Sequence, residues 1–593
     1  MYAQSDTASS FNISAVLSYH VLDTLQTRVE QTIVITNKKE FVYSPAYSIT
    51  LHIKNIRDIS VQGSKGDIPY TVADAGGDTK TIDITFPQRI LGVGAQNTFT
   101  FSYTSSDFVS KTGDITRVTI PSVATPSDFT SYSATVIVPS SFGKPSLAKP
   151  GNSYRENANA YTFTKDSLQG EAIELYFGQL QLYKFNLTYN LENKNLFPTR
   201  TEIALPPNTT YQNALLGHIS PKPDSTYVDV DGNVLATYLL PAKSTRTVTA
   251  ETLVSVSDIP SPENLSADQK ALFLKPQKYW EVDNPEIKKI AENLRTPEAI
   301  YDYTVKTLEY NKGKTADQNT RLGALGALAK PNFAVCLEFT DLFVALARSA
   351  GIPARAIEGY AYTGDESDKP LSLFQDVLHA WPEYYDAAQK TWVMVDPTWG
   401  NTTGGVDYFH SLDFDHVAFA VNGRDSAYPI PAGGYKIDPN SKDITVSFPS
   451  YVEFVKNTDL GVSGNFSSFA HGKEITGTLT LVNNGNYEIP GYSAYVLLDG
   501  KNAQFVTFPA TPPLGTNKIA VSIPIPAQNF LASLTNITHT VTIQSGQGKV
   551  LSSNTVRVFP FSEFLLIGGA AFGTAVIIFI IAFKTRSLPV QRR

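Results

Sequence analysis

From residue 11 to about 258, apolar and polar residues alternate in short runs broken by Gly, Pro, Asn and Asp. A period of two puts successive side chains on opposite faces of a strand, so this region reads as half-buried β-strands. Residues 27–35 and 132–138 alternate most regularly. Asp231-Gly232, between the runs 227–230 and 234–238, marks a hairpin turn. The run 229–233 superficially resembles a calcium loop. It has no glycine at loop position six and Leu240 at position twelve, so it is read as a turn. The region is too long for one sandwich and is divided near residues 182–185 into all-β domains spanning 1–183 and 184–258.

Pro260-Ser261-Pro262 opens a segment read as a linker, 259–283, after which the period changes. Asn284 before Pro285 predicts a helix to about residue 294, and Thr296-Pro297 predicts a second to about 310. A third is expected over about 335–350, where Phe339, Leu342, Phe343 and Leu346 follow helical spacing and Gly351-Ile352-Pro353 supplies the stop. Strands follow to about residue 420, giving an α+β domain at 284–432 that ends in a second linker at 429–434. Alternation returns over 444–558, read as a C-terminal β-sandwich at 433–560.

Residues 564–583 carry no charge, and 20 residues of helix span about 30 Å, the hydrocarbon thickness of a bilayer. A single transmembrane helix is therefore expected over 561–583, with a basic tail at 584–593. Lys584, Arg586, Arg592 and Arg593 follow the apolar run and place that tail in the cytoplasm, with the bulk of the chain outside the cell membrane. Gly569 and Gly573 form a step through which two such helices could pair as an oligomer. The first ten residues lack a basic start and an apolar stretch, which conflicts with export; a tail-anchored protein facing the cytoplasm is the alternative.

Composition narrows the function classes. The 593 residues include 48 Lys plus Arg and 55 Asp plus Glu, a formal net charge of −7, with no long basic run. Nucleic acid is therefore not an expected partner. Charged residues make up 17 %, below the ordinary ~25 %, which suits β-rich exported domains. A single cysteine, Cys336, excludes intrachain disulfides and cysteine-based metal clusters.

Cys336 falls at the start of the third predicted helix, where unpaired N–H groups and the helix dipole favour a thiolate and an oxyanion. A hairpin centred between Ala387 and Ala388 would set His379 directly opposite Asp396, with Cβ atoms about 5 Å apart. A carboxylate so placed orients an imidazole and favours its charged form. His410 and His416 have no such partner by register. The bland readings are a buried small thiol and an exposed polar pair.

Cys336 within VCLEFTDLFVALARSAGIPARAIEGY, His379 within HAWPEYY and Asp396 within WVMVDPTW resemble the three blocks of the transglutaminase-like superfamily. The resemblance covers roughly residues 284–425. It implies a papain-like α+β core in which a helix carrying the cysteine packs on an antiparallel sheet carrying histidine and aspartate. It makes Cys336 the nucleophile, His379 the general base and acid, and Asp396 the orienting carboxylate. Val335 stands where many relatives carry glycine or tryptophan nearby, so no oxyanion donor beyond the Cys336 N–H is assigned.

The chemistry so implied is attack on a glutamine or peptide amide, a thioester, and its resolution by water or an amine. The expected partner is a peptide or protein substrate, extracytoplasmic. No cofactor and no metal ligand is assigned, and the acidic group Asp365, Glu366 and Asp368 reads as a solvated loop. The alternative is an inactive surface scaffold or peptide-binding protein on the same fold. Sequons stand at Asn12, Asn186, Asn208, Asn264, Asn401, Asn465 and Asn536 and matter only along a glycosylating route.

Overall fold

The alternation at 27–35 appears as strand Thr27–Asn37, in which every second residue is buried. It pairs antiparallel with Phe11–Val21 inside an eight-stranded sheet of the first β domain. A four-stranded and a three-stranded sheet complete that domain around Ile33, Phe99, Phe101, Val118 and Phe163. The structure, a computed structural model, describes residues 10–559 and 574–578. Within them it leaves out 152, 314–319, 364–368, 370–377, 404–405, 411–412, 439–440, 450–452, 468, 472–473 and 526–536.

The second β domain is built on Leu180–Asn193, which pairs along its whole length with Ser244–Ser257. Facing it are Thr199–Leu205, Val234–Leu240 and Ser225–Val228. The hairpin at Asp231-Gly232 forms with Val228 opposite Val234. Asp229 Oδ1 closes the turn by accepting the Asp231 and Asn233 N–H groups at 2.9 and 2.8 Å, and Gly232 takes a φ of +91°.

Between this domain and a layer of helices lies the sheet that carries the site. Its order is Thr391–Met394, Leu378–Asp386, Ala354–Ala361, His416–Asn422, antiparallel throughout. Both faces are covered, so the strands Ala354–Ala361 and His416–Asn422 are buried at nearly every position instead of alternating. Ala354 and Ala356 meet the helices, while Tyr360, Val417 and Phe419 join the core of the second β domain. The three predicted helices form as Pro285–Ala291, Pro297–Thr307 and Cys336–Ser349, capped by Asn284 and Thr296 as expected and stopped by Gly351 at φ +83°. Within 284–432, two short α-helices among the described residues escaped the sequence reading, Gly323–Ala329 and Pro397–Thr402.

Several expectations are corrected. Segment 259–283 is no free linker. It carries the helix Ala267–Leu272, buries Leu265 and Phe273 against Tyr385 and Trp392, and inserts Trp280 into the helical core. Ala432, in the second expected linker, is fully buried in the second β domain. The strand Ile444–Ser447, assigned to the C-terminal sandwich, instead pairs with Leu180–Asn193 and buries Ile444 there. Alternation identifies a strand but not the sheet edge that takes it up.

The C-terminal sandwich begins at Leu460–Phe466. Its three-stranded and five-stranded sheets close over Leu479, Leu481, Val496 and Val541. Among the described residues no helix is long and apolar enough to cross a membrane. The predicted span 561–583, with Gly569 and Gly573, and the basic tail lie outside the described residues except for 574–578, which are helical. The acidic group Asp365, Glu366 and Asp368 also lies outside them.

Candidate active site

Cys336 is the first residue of the helix Cys336–Ser349 and is 8 % exposed. The helix start is set by Glu338, three residues after Val335. Its carboxylate accepts the Val335 N–H at 2.9 Å with one oxygen and the Leu322 N–H at 2.9 Å with the other. This is the glutamate half of a capping box, legible in the sequence but not singled out there. The Cys336 carbonyl accepts the Thr340 hydroxyl at 2.8 Å. The Cys336 N–H lies in the first turn, where a helix leaves its N–H groups without intrahelical partners.

His379 comes from the strand Leu378–Asp386. The register differs from the expected one: Asp386 pairs with Thr391 and Tyr384 with Val393, so the hairpin is centred between Ala388 and Gln389. A displacement of two residues keeps the same face inward. Asp396 lies just past the end of its strand and caps the helix Pro397–Thr402. Its Oδ1 accepts the Thr398 and Trp399 N–H groups at 2.9 and 3.1 Å. From that cap, Oδ2 reaches His379 Nε2 at 3.0 Å. The expected pair therefore forms, held by a helix cap and not by a cross-strand position.

The remaining motif residues pack this pair. The His379 ring stacks on Trp399 at 5.0 Å and on Trp381 at 6.1 Å between centroids. Gly359, opposite His379, has no room for a Cβ, which would meet the Val417 carbonyl and the Trp381 ring. Arg355 of the GIPAR turn pairs with buried Glu383 of HAWPEYY at 2.7 Å and lies over Trp392.

His379 Nδ1 is buried and, among the described residues, has no close hydrogen-bond partner, while Cys336 lies near enough to act on the ring. Burial opposes charge on this ring, but Asp396, followed by Cys336, outweighs it and raises the His379 pKa to about 9. Burial pushes Asp396 up; His379 and His416 more than reverse that and hold its carboxyl well below the usual carboxylate range. Tyr310 lies near enough to Cys336 for their charges to interact. Burial first, then that interaction, keeps its phenol protonated.

His416 was set aside in the sequence for want of a partner by register. The structure supplies two: Nε2 meets Asp396 Oδ2 at 3.3 Å and Nδ1 meets Asp413 Oδ1 at 2.6 Å. His410 also has a partner, Asp407, at 3.2 Å, but its side chain is 59 % exposed and it does not join the site. No local signal could have found His416, because its contact with Asp396 crosses two strands. Among the described residues, His379, Asp396 and His416 are the one set of donors close enough to share a metal ion, their atoms lying within 4.8 Å. Both ring nitrogens instead aim at the same carboxylate oxygen, the geometry of N–H donors in a hydrogen-bonded chain.

A cysteine at a helix start, an imidazole on the neighbouring sheet and a carboxylate behind it fit a cysteine-type enzyme on an α+β core. Residues 284–397 match the transglutaminase-like superfamily, and the domain they form belongs to it. Among solved structures, the chain resembles a protein from Cytophaga hutchinsonii provisionally described as a cysteine protease. The identity is 20 % over 46 % of this chain and 99 % of that one, with a TM-score of 0.30. It also resembles the periplasmic domain of TgpA from Pseudomonas aeruginosa, at 15 % identity over 38 % and 91 % of the two chains and a TM-score of 0.22. Yeast leukotriene A4 hydrolase bound to bestatin follows at 12 % identity over 31 % and 32 %, with a TM-score of 0.20. At such scores these likenesses carry no argument about what this chain does. No curated protein matches it.

Proposed function

We propose that the chain is a membrane-anchored, outward-facing cysteine enzyme acting on amide bonds of peptides or proteins through a thioester. The observation that carries this reading is the 3.0 Å contact of His379 Nε2 with Asp396, which turns the buried Nδ1 to Cys336 at a helix start. The Cys336 thiol gives its proton to His379 Nδ1 as its sulfur attacks the amide carbonyl, and the Cys336 N–H supports the oxyanion. His379 passes its Nδ1 proton to the departing amine while Asp396 holds the Nε2 hydrogen. The thioester is then cleaved by water or a second amine, with His379 taking that nucleophile's proton and the thiolate leaving.

Incubation of the full chain with glutamine peptides and a labelled amine, read by mass, separates the outcomes. Deamidation or chain cleavage means hydrolysis, and label incorporation means acyl transfer. No product beyond that of Cys336→Ala would favour the scaffold reading. Outward orientation rests on the charge step at Lys584. Protease added to intact cells should digest the chain before Glu563; protection until lysis would place it in the cytoplasm.

A further inference from the structure

His416 lies on the strand His416–Asn422, across the central strand from His379. The register sets His379 opposite Gly359 and His416 opposite Ala361, so both rings stand on one face. With no side chain on Gly359, they meet over the central strand at 5.6 Å between centroids. Trp381 packs on His416 at 4.8 Å and Trp399 at 4.6 Å, and the His416 side chain is only 2 % exposed.

Each ring nitrogen of His416 faces a carboxylate oxygen, Asp396 Oδ2 at 3.3 Å and Asp413 Oδ1 at 2.6 Å. An ionised carboxylate only accepts, so both nitrogens carry hydrogen and the ring is a buried cation. Burial resists that charge, but Asp413 and Asp396 prevail and raise the pKa to about 9. Further charges face the cluster from every side. Lys149 and Lys369 act on Asp413. Lys149 comes from the first β domain, 4.0 Å from Glu174 and 3.5 Å from the Tyr408 ring centroid. Lys369 is 3.5 Å from Glu174 and 3.9 Å from Asp415, and Arg117 is 3.0 Å from Asp415. With these groups pinned, the Asp396 carboxylate is filled: two backbone N–H groups on Oδ1 and two imidazoles on Oδ2.

We propose that His416 is a positioning residue of the reaction, clamping Asp396 at the same carboxylate oxygen as His379 and, by sharing Oδ2, limiting how strongly Asp396 holds the proton on His379. This rests on reading Cys336, His379 and Asp396 as an active site. A neutral donor in place of His416 keeps the clamp but removes its charge, so Asp396 then favours the His379 cation more strongly. A side chain with no donor leaves Oδ2 with one partner and frees the pair to rotate.

The test uses the full chain with His416→Gln and His416→Ala, and His410→Gln as an exposed control. Histidine-labelled protein in a Cys336→Ala background, its 8 histidines followed by NMR, reports the His379 titration without needing turnover. His416→Gln should move that titration up by about one pH unit. On an amide substrate the basic limb of kcat/KM should move with it, while His416→Ala should lose about 10- to 100-fold in kcat at nearly constant KM. His410→Gln should change neither. If His416→Ala does not fold, the titration of His416→Gln decides. A His379 titration unmoved in His416→Gln overturns the inference. A shifted titration in a chain that turns over no amide keeps the clamp and overturns the functional reading instead.

Discussion

Glu338 accepts the backbone N–H of Val335 at 2.9 Å, one residue before the nucleophile, and so sets where the cysteine helix begins. Its second oxygen holds Leu322, and the side chain is fully buried. Glu338→Ala leaves the buried Val335 N–H without an acceptor, at about 1–3 kcal/mol, and frees the half-buried Leu322 N–H at a smaller cost. The thermal midpoint should fall, and amide turnover should fall further than stability alone explains, because the Cys336 N–H loses its place. Turnover unchanged at temperatures where the variant is fully folded would sever the link between this cap and the site.

Asp396 acts on the reaction and on local structure, and two substitutions separate these. Asp396→Asn retains an oxygen to cap Pro397–Thr402 but loses the charge beside His379. Turnover should drop by about 10⁴-fold, and melting should fall by the stability that this charge gives the two buried imidazoles. Asp396→Ala should lose similar activity and, in addition, about 1 kcal/mol of stability from the missing cap. Equal melting of the two variants would show that the cap contributes nothing.

The pH dependence follows from opposite shifts. His379 and His416 have folded pKa values raised to about 9. Their stabilisation is complete below the unfolded value of about 6.5 and is lost as pH rises through about 9. Asp396 and Asp413 are held below the usual carboxylate range, so theirs is complete above about 3.9 and is lost as pH falls toward the folded values. The part of stability due to this network should peak between about pH 4 and 6.5. Melting curves of the protein and of His416→Gln across pH should diverge least outside that window.

Arg348 closes the far end of the cysteine helix. Its guanidinium donates to the carbonyls of Ala354, Lys275 and Gly423 at 2.9, 2.6 and 2.7 Å and lies over Trp280. A lysine cannot reach all three, and Arg348→Lys should cost about 2–4 kcal/mol by denaturant unfolding. A cost near zero would mean the carbonyls find other donors.

Domain limits can be tested by truncation. A chain ending at residue 449 keeps Ile444–Ser447 on the second β domain and should melt as one cooperative body. A chain ending at 441 removes buried Ile444 and should lose about 2–5 kcal/mol. Equal melting of the two would return that strand to the C-terminal sandwich.

Local chemistry decided much of this protein from the sequence alone. Alternation marked the strands because it reports which side of each residue meets a core. Asn284, Thr296 and Gly351 marked helix ends because capping is settled within a few residues. Cys336, His379 and Asp396 could be named because each sits in a dense local motif. What lay beyond the sequence depends on neighbours distant along the chain. Asp386 accepts the N–H groups of Ala388 and Gln389, Lys390 takes a φ of +54°, and that four-residue loop displaced the hairpin by two residues. Ile444 joined an edge 257 residues away in sequence, opposite Leu187, because that edge was open. His416 met Asp396 only once four strands had been laid side by side. Asp413, which balances its charge, is in turn kept ionised by Lys149 from another domain, because buried charges must be balanced by whatever the fold brings within reach.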